Sequence, residues 1–322
     1  MENLNQSSLL SICRNQLSKL SEKKILLAYS GGEDSSVLLD CLYKISKDES
    51  ISIRTIHVNH GLSIDALKFE NHCLEVTSQL NISHQTINVS INSSSNIEEK
   101  CRDKRYKVLV ENCKHDEIIL TGHHEEDQVE TFLLRLIRGS GARGLSSMKK
   151  SSKYLERTIF RPFLKVPKIQ IHDYSTVNNI SFIQDESNKS DIFDRNFIRH
   201  NIIPLLKERW PSINKNILNN ISVQEIQSRF INDHIKSILP NFYLKNHNKL
   251  SVYKLNQEEL YTKIMIIHEW VFLQTGVFLK LRQIHEILKI LKTSNDSNPL
   301  FAFSRIKITK NRDILEVSII KT

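Results

Sequence analysis

The chain reads as an α/β protein: a doubly wound parallel sheet, then a helical connector and a small α+β domain. Three observations predict this. Short apolar strands alternate with longer amphipathic stretches up to about residue 140, the pattern of a parallel sheet with helices on both faces. Polar clusters follow three of those strands at their carboxyl ends, where such sheets collect ligands. The C-terminal part instead combines helical runs with alternating strands. At roughly 100–200 residues per domain, the 322 residues accommodate two domains, 1–212 and 213–322.

In order, strands are expected at Lys24–Tyr29, Ile51–Asn59, His84–Val89 and Glu117–Gly122, each a short apolar run. Between them the amphipathic stretches Asp34–Ser46, Ile64–Leu80, Asn96–Cys113 and His124–Arg138 read as helices. Ser90–Ser95 is a polar loop and Gly139–Gly144 a glycine-rich one. Arg157–Phe163 is a further strand candidate, closed by Pro162, and Pro167 begins a helix, as proline suits a first turn. A helical run covers Phe193–Trp210, with Pro204 inside it, and Trp210-Pro211 breaks it. The connector runs on to about Leu239, before Pro240. The last section offers a strand at Lys249–Leu255, helices near Gln257–Leu273 and Leu281–Leu291, and two strands, Leu300–Thr309 and Asp313–Ile320. The most apolar stretch, Ile264–Leu279, is interrupted by His268, Glu269, Gln274 and Thr275. It is a core helix, because a membrane span needs about 20 apolar residues.

The first strand runs into Ser30-Gly31-Gly32-Glu33-Asp34-Ser35. Two glycines let the backbone turn sharply and approach an anion closely. Asp34, Ser35 and Ser36 then open a helix whose first amides are free donors. A Walker A loop would add a lysine for the β- and γ-phosphates, and none is present in the segment. Such a loop suits chemistry at an α-phosphate, with pyrophosphate leaving. Polar residues also gather at His57–Gly61, after the second strand, and at Gly122-His123-His124, after the fourth.

The sharpest cluster is Thr121–Thr131, which packs Glu125, Glu126, Asp127 and Glu130 beside two histidines. If His124 starts a helix, Asp127 and Glu130 share a face. Acids in a first turn complement the helix dipole, but one or two suffice for that. The surplus points to a cation site, for Mg²⁺ or for an amine. His123-His124-x-x-Asp127 is not a zinc spacing.

Charge is unevenly spread. Residues 1–150 hold 19 Lys+Arg against 20 Asp+Glu, and residues 151–322 hold 26 against 16. A basic second half fits a polyanionic partner, since phosphate neutralisation dominates nucleic-acid affinity; a biased composition rich in lysine would produce the same excess. Cys13, Cys41, Cys73, Cys101 and Cys113 form no C-x-x-C pair, which argues for reduced thiols in a cytoplasmic protein. The start lacks a basic segment followed by an apolar one, so a signal peptide is not expected.

The motif S-G-G-x-D-S at Ser30–Ser35 resembles the PP-loop ATP pyrophosphatases. The string Leu120–Met148, with H-H-E-E-D-Q-V-E-T followed by R-G-S-G-A-R-G-L-S-S-M, is similar to that of the tRNA(Ile)-lysidine synthase family within them. That family's pattern is H-H-x-D-D-Q-x-E-T, so Glu126 stands where it has aspartate. Further matches are His57–Ser63, the run Asn96-Ile97-Glu98 with Arg102, Arg105 and Tyr106, Arg161-Pro162, Asp185–Asn188, and Arg195-Asn196-x-x-Arg199. They run in order over about residues 24–205; the tail matches a first C-terminal domain more weakly.

The resemblance implies a Rossmann-like catalytic domain followed by a tRNA-binding one, and a two-step reaction. ATP adenylates O2 of the wobble cytidine of tRNA-Ile with a CAU anticodon, and pyrophosphate leaves. The side-chain amine of L-lysine then attacks carbon 2 and expels AMP, forming lysidine. By the same resemblance Ser30, Gly31, Gly32, Glu33, Asp34, Ser35, His57 and His124 would bind ATP, with Asp34 a contact for Mg²⁺. Asp127 and Glu130 would bind lysine. Arg102, Arg105, Arg195 and Arg199 would meet tRNA or the AMP phosphate, as arginine forks pair with phosphate oxygens. Asp34, Asp127, Glu130 and Arg102 are the expected catalytic set. For each arginine singly a surface ion pair is the competing account, and His57 and Asn59 could equally be satisfied groups at a strand end. No residue sets the oligomeric state, a homodimer being one option, or shows how tRNA-Met is rejected.

Overall fold

The computed structural model describes residues 3–61, 65–90, 97–185, 190–294 and 297–320. Of the motif and loop residues above, Leu62, Ser63, Asn96 and positions 91–95 and 186–188 lie outside the described residues. The chain divides into two compact units, Met1–Gln224 and Glu225–Thr322. The boundary expected after residue 212 lies just before a long helix, Ile213–Ile238, and the two units divide within that helix.

The first unit runs α1 (Asn3–Leu17), β1 (Lys24–Ala28), α2 (Glu33–Asp48), β2 (Ser52–Asn59), α3 (Ala66–Gln79), β3 (Ser83–Asn88), α4 (Ile97–Asn112) and β4 (Glu117–Leu120). It continues with α5 (Glu125–Ile137), α6 (Ala142–Leu145), β5 (Ser151–Tyr154), β6 (Arg157–Phe160), α7 (Lys168–Val177) and α8 (Asp194–Phe197). A π-helical stretch, Ile198–Ile202, joins α8 to α9 (Ile203–Arg209), and α10 (Ile213–Ile238) follows. The strand order is β3-β2-β1-β4-β6-β5, with every pair parallel except β5 against β6.

Strand periodicity builds both faces of this sheet. Ile25, Leu27, Ile118 and Leu120 join a core with Leu38, Leu42 and Tyr174. The alternate residues Leu26, Ile56, Ile119 and Ile159 pack with Tyr106 and Leu109 of α4 on the opposite side. Burial on both faces explains why the central strands read as continuous apolar runs. The register sets Leu27 beside Leu120, and Leu120 beside Phe160. The segments after β1, β4 and β6 therefore leave the sheet at one edge.

Three elements have no counterpart in the sequence reading. The short helix α6 begins at Ala142, inside the stretch expected to be a glycine-rich loop. α1 buries Leu9, Cys13 and Leu17, one residue per turn on a single face, within a Ser- and Asn-rich segment. β5 is polar and lies at the sheet edge, turning into β6 through Leu155 at φ 51°.

The second unit holds a 3₁₀ turn (Leu239–Phe242), β7 (Lys249–Ser251), α11 (Val252–Gln257), α12 (Leu260–Thr275), α13 (Leu281–Leu291), β8 (Leu300–Phe303), β9 (Ile306–Asn311) and β10 (Ile314–Ile319). Its antiparallel sheet is ordered β7-β10-β9-β8. The strand expected at Lys249–Leu255 stops at Ser251, because that hydroxyl accepts a hydrogen bond from the Lys254 amide and caps α11. The strand expected at Leu300–Thr309 is two strands, β8 and β9, divided at Ser304, whose φ is 51°. Trp270 is 0 % exposed in this core and donates from Nε1 to the His247 carbonyl at 2.9 Å. Among the described residues no helix is long and apolar enough to cross a membrane.

Removing a buried aromatic of this size costs about 3–5 kcal/mol. Trp270→Ala should lower the urea midpoint of the second unit accordingly; a midpoint within error of wild type would mean the core does not depend on the indole.

Candidate active site

The loop after β1 is built to present backbone. Gly31 has φ +80°, and a Cβ there would stand 3.1 Å from Cys73 Sγ and 3.4 Å from His72 Cδ2. Its carbonyl accepts from the Ile183 amide at 2.9 Å. Gly32 is the N-cap of α2, and no side chain caps that helix, so its first-turn amides can serve an anion. Ser35 Oγ accepts from the Ser30 amide at 3.2 Å, lies 3.0 Å from Ser30 Oγ, and donates to the Gly32 carbonyl at 3.0 Å. These bonds fix the turn.

The loop after β4 comes in against it. A Cβ on Gly122 would lie 3.0 Å from the carbonyl carbon of Asp34 and 3.2 Å from the amide nitrogen of Ser35. A side chain there would press on that backbone, and glycine allows the close approach that puts the start of α5 beside the start of α2. His124 caps α5, and its amide donates to Asp127 Oδ2 at 2.9 Å. Its ring lies 3.2 Å from Glu126 Oε2, 3.6 Å from Asp127 Oδ2 and 3.7 Å from Asp34 Oδ2. Burial works against a charged His124, but Asp127, Glu126 and Asp34 outweigh it and raise its pKa. Its neighbour His123 is pushed well below the ordinary value by burial. Asp127, despite burial, is held low by His124, Arg195 and His123.

α7 closes one side. Lys168 Nζ is 2.5 Å from Asp34 Oδ1 and 2.7 Å from Glu33 Oε2, and its amide donates to Glu126 Oε2 at 2.9 Å. Glu33 also accepts from Ser175 Oγ at 2.6 Å and meets His172 Nδ1 at 2.8 Å. Burial alone would raise Glu33, yet Lys168, Ser175 and His172 hold it down to about 2.

The other side is formed by α8 and the π-helical stretch. Glu130, 1 % exposed, accepts from Arg195 Nε at 2.7 Å and from Arg199 Nε at 2.6 Å. Asp127 Oδ1 lies 3.5 Å from Arg195 and 3.8 Å from Arg199. Further along the edge, Arg161 follows β6, buried, with its guanidinium on the Lys149 carbonyl, Ser152 Oγ and the Tyr106 hydroxyl. Arg102 and Arg105 of α4 stand over the Tyr106 ring, 5.7 and 5.6 Å from its centroid.

The structure thus gathers most of the sequence-predicted residues, with three changes. Glu33 turns away to α7 and is saturated there. His57 is buried, and its Nδ1 donates to the Tyr29 carbonyl at 3.1 Å, so it secures the end of β1. Arg195 and Arg199 are not separate from the acids but paired with Glu130. Lys168 and the buried Arg161 guanidinium belong to the same edge; Arg161 entered the sequence reading only within a motif match and Lys168 not at all, since its partner Asp34 is 134 residues away and leaves no periodic trace. No group of three or more His, Cys, Asp or Glu converges to hold a metal ion among the described residues. Magnesium at nucleotide sites takes one or two carboxylates with phosphate oxygens, and Asp34 fits that pattern.

Comparison with known proteins agrees with this geometry. A family model described as a PP-loop domain matches residues 3–206. The chain is 35% identical over 294 residues to the tRNA(Ile)-lysidine synthase of Histophilus somni (strain 129Pt), covering 90% of this chain and 69% of that protein. The namesake from Wigglesworthia glossinidia brevipalpis is 34% identical over 301 residues, covering 90% of this chain and 74% of that protein. Among solved structures, a U34-tRNA thiolase, NcsA from Methanococcus maripaludis with its [4Fe-4S] cluster, superposes with TM-score 0.57 at 16% identity, over 70% of this chain and 80% of that one. That last likeness concerns the fold alone. The chain belongs to the PP-loop proteins and, within them, to the tRNA(Ile)-lysidine synthase family.

Two outcomes follow from the packing. Gly122→Ala should weaken ATP binding by at least about tenfold, since its Cβ must displace backbone and not a flexible side chain; unaltered ATP affinity would show the loop contact to be slack. Glu33 has a folded pKa near 2 against an ordinary 4.5, so its stabilisation is present above about pH 4.5 and lost as pH falls towards 2. Glu33→Gln should melt below wild type at neutral pH and converge with it in acid; a constant gap in melting temperature between pH 7 and pH 2.5 contradicts this.

Proposed function

We propose that this protein makes lysidine: it activates the wobble cytidine of tRNA-Ile with ATP and joins L-lysine to carbon 2 of the base. The observation that carries the reading is the junction at Gly122, which sets a phosphate-holding loop against a helix start crowded with acids, in a chain of this family.

The residues suit the two steps in turn. Gly31, Gly32 and the first amides of α2 take the polyphosphate, with Ser30 and Ser35 holding the turn. Asp34 would hold Mg²⁺ with the phosphates, and the ion would supply charge neutralisation for the departing pyrophosphate. Cytidine O2 attacks the α-phosphorus, and the bond to the bridging oxygen breaks with its electron pair going to pyrophosphate. The lysine amine then adds to carbon 2, AMP departs and a proton is lost from nitrogen. Asp127 is linked to the loop through His124, and so would anchor the bound amino acid beside it.

Glu130 takes a different part from the one expected. Both of its oxygens are occupied by Arg195 and Arg199, so it positions the two guanidinium groups. A quartet of two carboxylates and two guanidinium groups matches the head of a free amino acid, ammonium towards Asp127 and carboxylate towards the arginines. Arg102 and Arg105, on the outer part of the edge, suit the phosphates of RNA, as does the basic second half.

Thiolation is the rival within the superfamily, but the cysteine beside the loop argues against it. Cys73 is buried against Gly31, and burial pushes its thiol up to about 12. A sulfur carrier needs a thiolate.

The direct test is the wobble nucleoside of CAU-anticodon tRNA-Ile after incubation with ATP and lysine, read by mass spectrometry; cytidine left unchanged refutes the proposal. Asp127→Ala should abolish lysine transfer while tRNA affinity changes less than about threefold, and near-normal turnover at low lysine would remove Asp127 from the lysine site. Lys280→Glu with Arg282→Glu, both exposed, should weaken tRNA binding and shallow its salt dependence by roughly one unit of slope for each phosphate no longer neutralised; an unchanged slope would make this surface a bystander.

A further inference from the structure

We propose that Lys168 supplies the phosphate-binding cation that the loop itself lacks: when Mg²⁺·ATP enters, its ammonium leaves Asp34 and takes oxygens of the β- and γ-phosphates. The inference rests on the ATP site described above and adds a residue to it.

Four observations carry it. The first turn of α2, where a polyphosphate would meet the helix amides, bears two carboxylates, Glu33 and Asp34. Uncompensated, they would repel the ligand, and Lys168 Nζ sits between them at 2.7 and 2.5 Å. Secondly, the two acids differ in what else holds them. Glu33 keeps Ser175 and His172 if the lysine departs. Asp34 Oδ1 has Lys168, while its Oδ2 is 3.7 Å from His124 Nε2, too long for a hydrogen bond. Asp34 is therefore the acid open to exchange partners.

Thirdly, a Mg²⁺ on Asp34 would repel the ammonium beside it, and the phosphates are then the nearest uncommitted anion. Fourthly, the main chain of Lys168 is pinned. It is the first residue of α7, and its amide is bound to Glu126 Oε2 at 2.9 Å. Nζ can swing on its flexible four-carbon arm while Cα stays in place. No bond is made or broken in this exchange; one ion pair is traded for another.

The experiment is calorimetric titration of the full chain, without tRNA or lysine, using Mg²⁺·ATP and separately AMP. Lys168→Met should weaken Mg²⁺·ATP by about tenfold or more, the scale of a lost charge-assisted hydrogen bond. AMP, which has no β- or γ-phosphate, should bind within about twofold of wild type, and Lys168→Arg should restore most of the ATP affinity. Equal losses for ATP and AMP would mark Lys168 as a mere strut between α7 and α2, and overturn the proposal. Should Lys168→Met fail to fold, wild-type crystals with a non-hydrolysable Mg²⁺·ATP analogue decide. Nζ within hydrogen-bond reach of a β- or γ-oxygen supports the exchange; Nζ still on Asp34 and Glu33 sinks it. Wild type that binds ATP but makes no lysidine would strike the proposed function and leave this inference intact.

Discussion

The site depends on the closeness of two loops. Gly122 lies so near the backbone of Asp34 and Ser35 that a methyl group would force that backbone to give way. This contact follows from the register of the sheet, since β1 and β4 are neighbours with Leu27 opposite Leu120. Strand pairing sets the two chain exits side by side, and the missing side chain lets them touch. The N-terminal ends of α2 and α5 then share one space. Amides that favour anions stand beside carboxylates that favour cations, which is what a reaction between a nucleotide and an amine requires.

Such crowding of charge is stable only if it is compensated. Burying a carboxylate costs several kcal/mol unless it is paired and hydrogen-bonded. Here the inner acids draw cationic partners from other segments: Glu33 and Asp34 from α7, Glu130 from α8 and the π-helical stretch, and Asp127 from Arg195 of α8, beside His124 at the start of its own helix. The helices that bring these cations also enclose the site, so electrostatic balance and shape come from the same packing. The π-helical stretch contains Arg199, four residues after Arg195, and both guanidinium groups converge on one carboxylate. π-helical insertions in helices are frequent at functional sites.

How much of this was legible in the sequence depended on range. Strands β1 to β4 and the helices between them declare themselves through local periodicity, and the polar clusters at their ends fall where the sheet places ligands. Ser251 and Ser304 show the limit of that reading. A strand-like pattern continues past each, but a capping hydroxyl turns the first into a helix and a left-handed residue turns the second into a hairpin. α1 is hidden because its buried residues, Leu9, Cys13 and Leu17, are spaced thinly among polar ones. Pairings across the fold are less visible still. Lys168 and Asp34 are 134 residues apart, and Glu130 and Arg199 are 69 apart; nothing local marks such partners. The acids were therefore recognisable as a group, while which of them would be open and which saturated was not.

Glu126 illustrates how a departure from a family pattern can be absorbed. Pro167, which precedes α7, offers no side-chain cap, so the first amide of that helix needs an acceptor. Glu126 Oε2 provides it and also meets His124 Nδ1. The side chain of aspartate is one methylene shorter, and from the same backbone position it would reach less far towards α7. The extra length thus serves to tie α5 to α7, the helix that carries Lys168, while the charge beside His124 is kept. Seen in this way the substitution does not weaken the acid cluster. It connects the carboxylates of α5 with the phosphate loop through one residue, whose amide is held by the first and whose ammonium is held by the second.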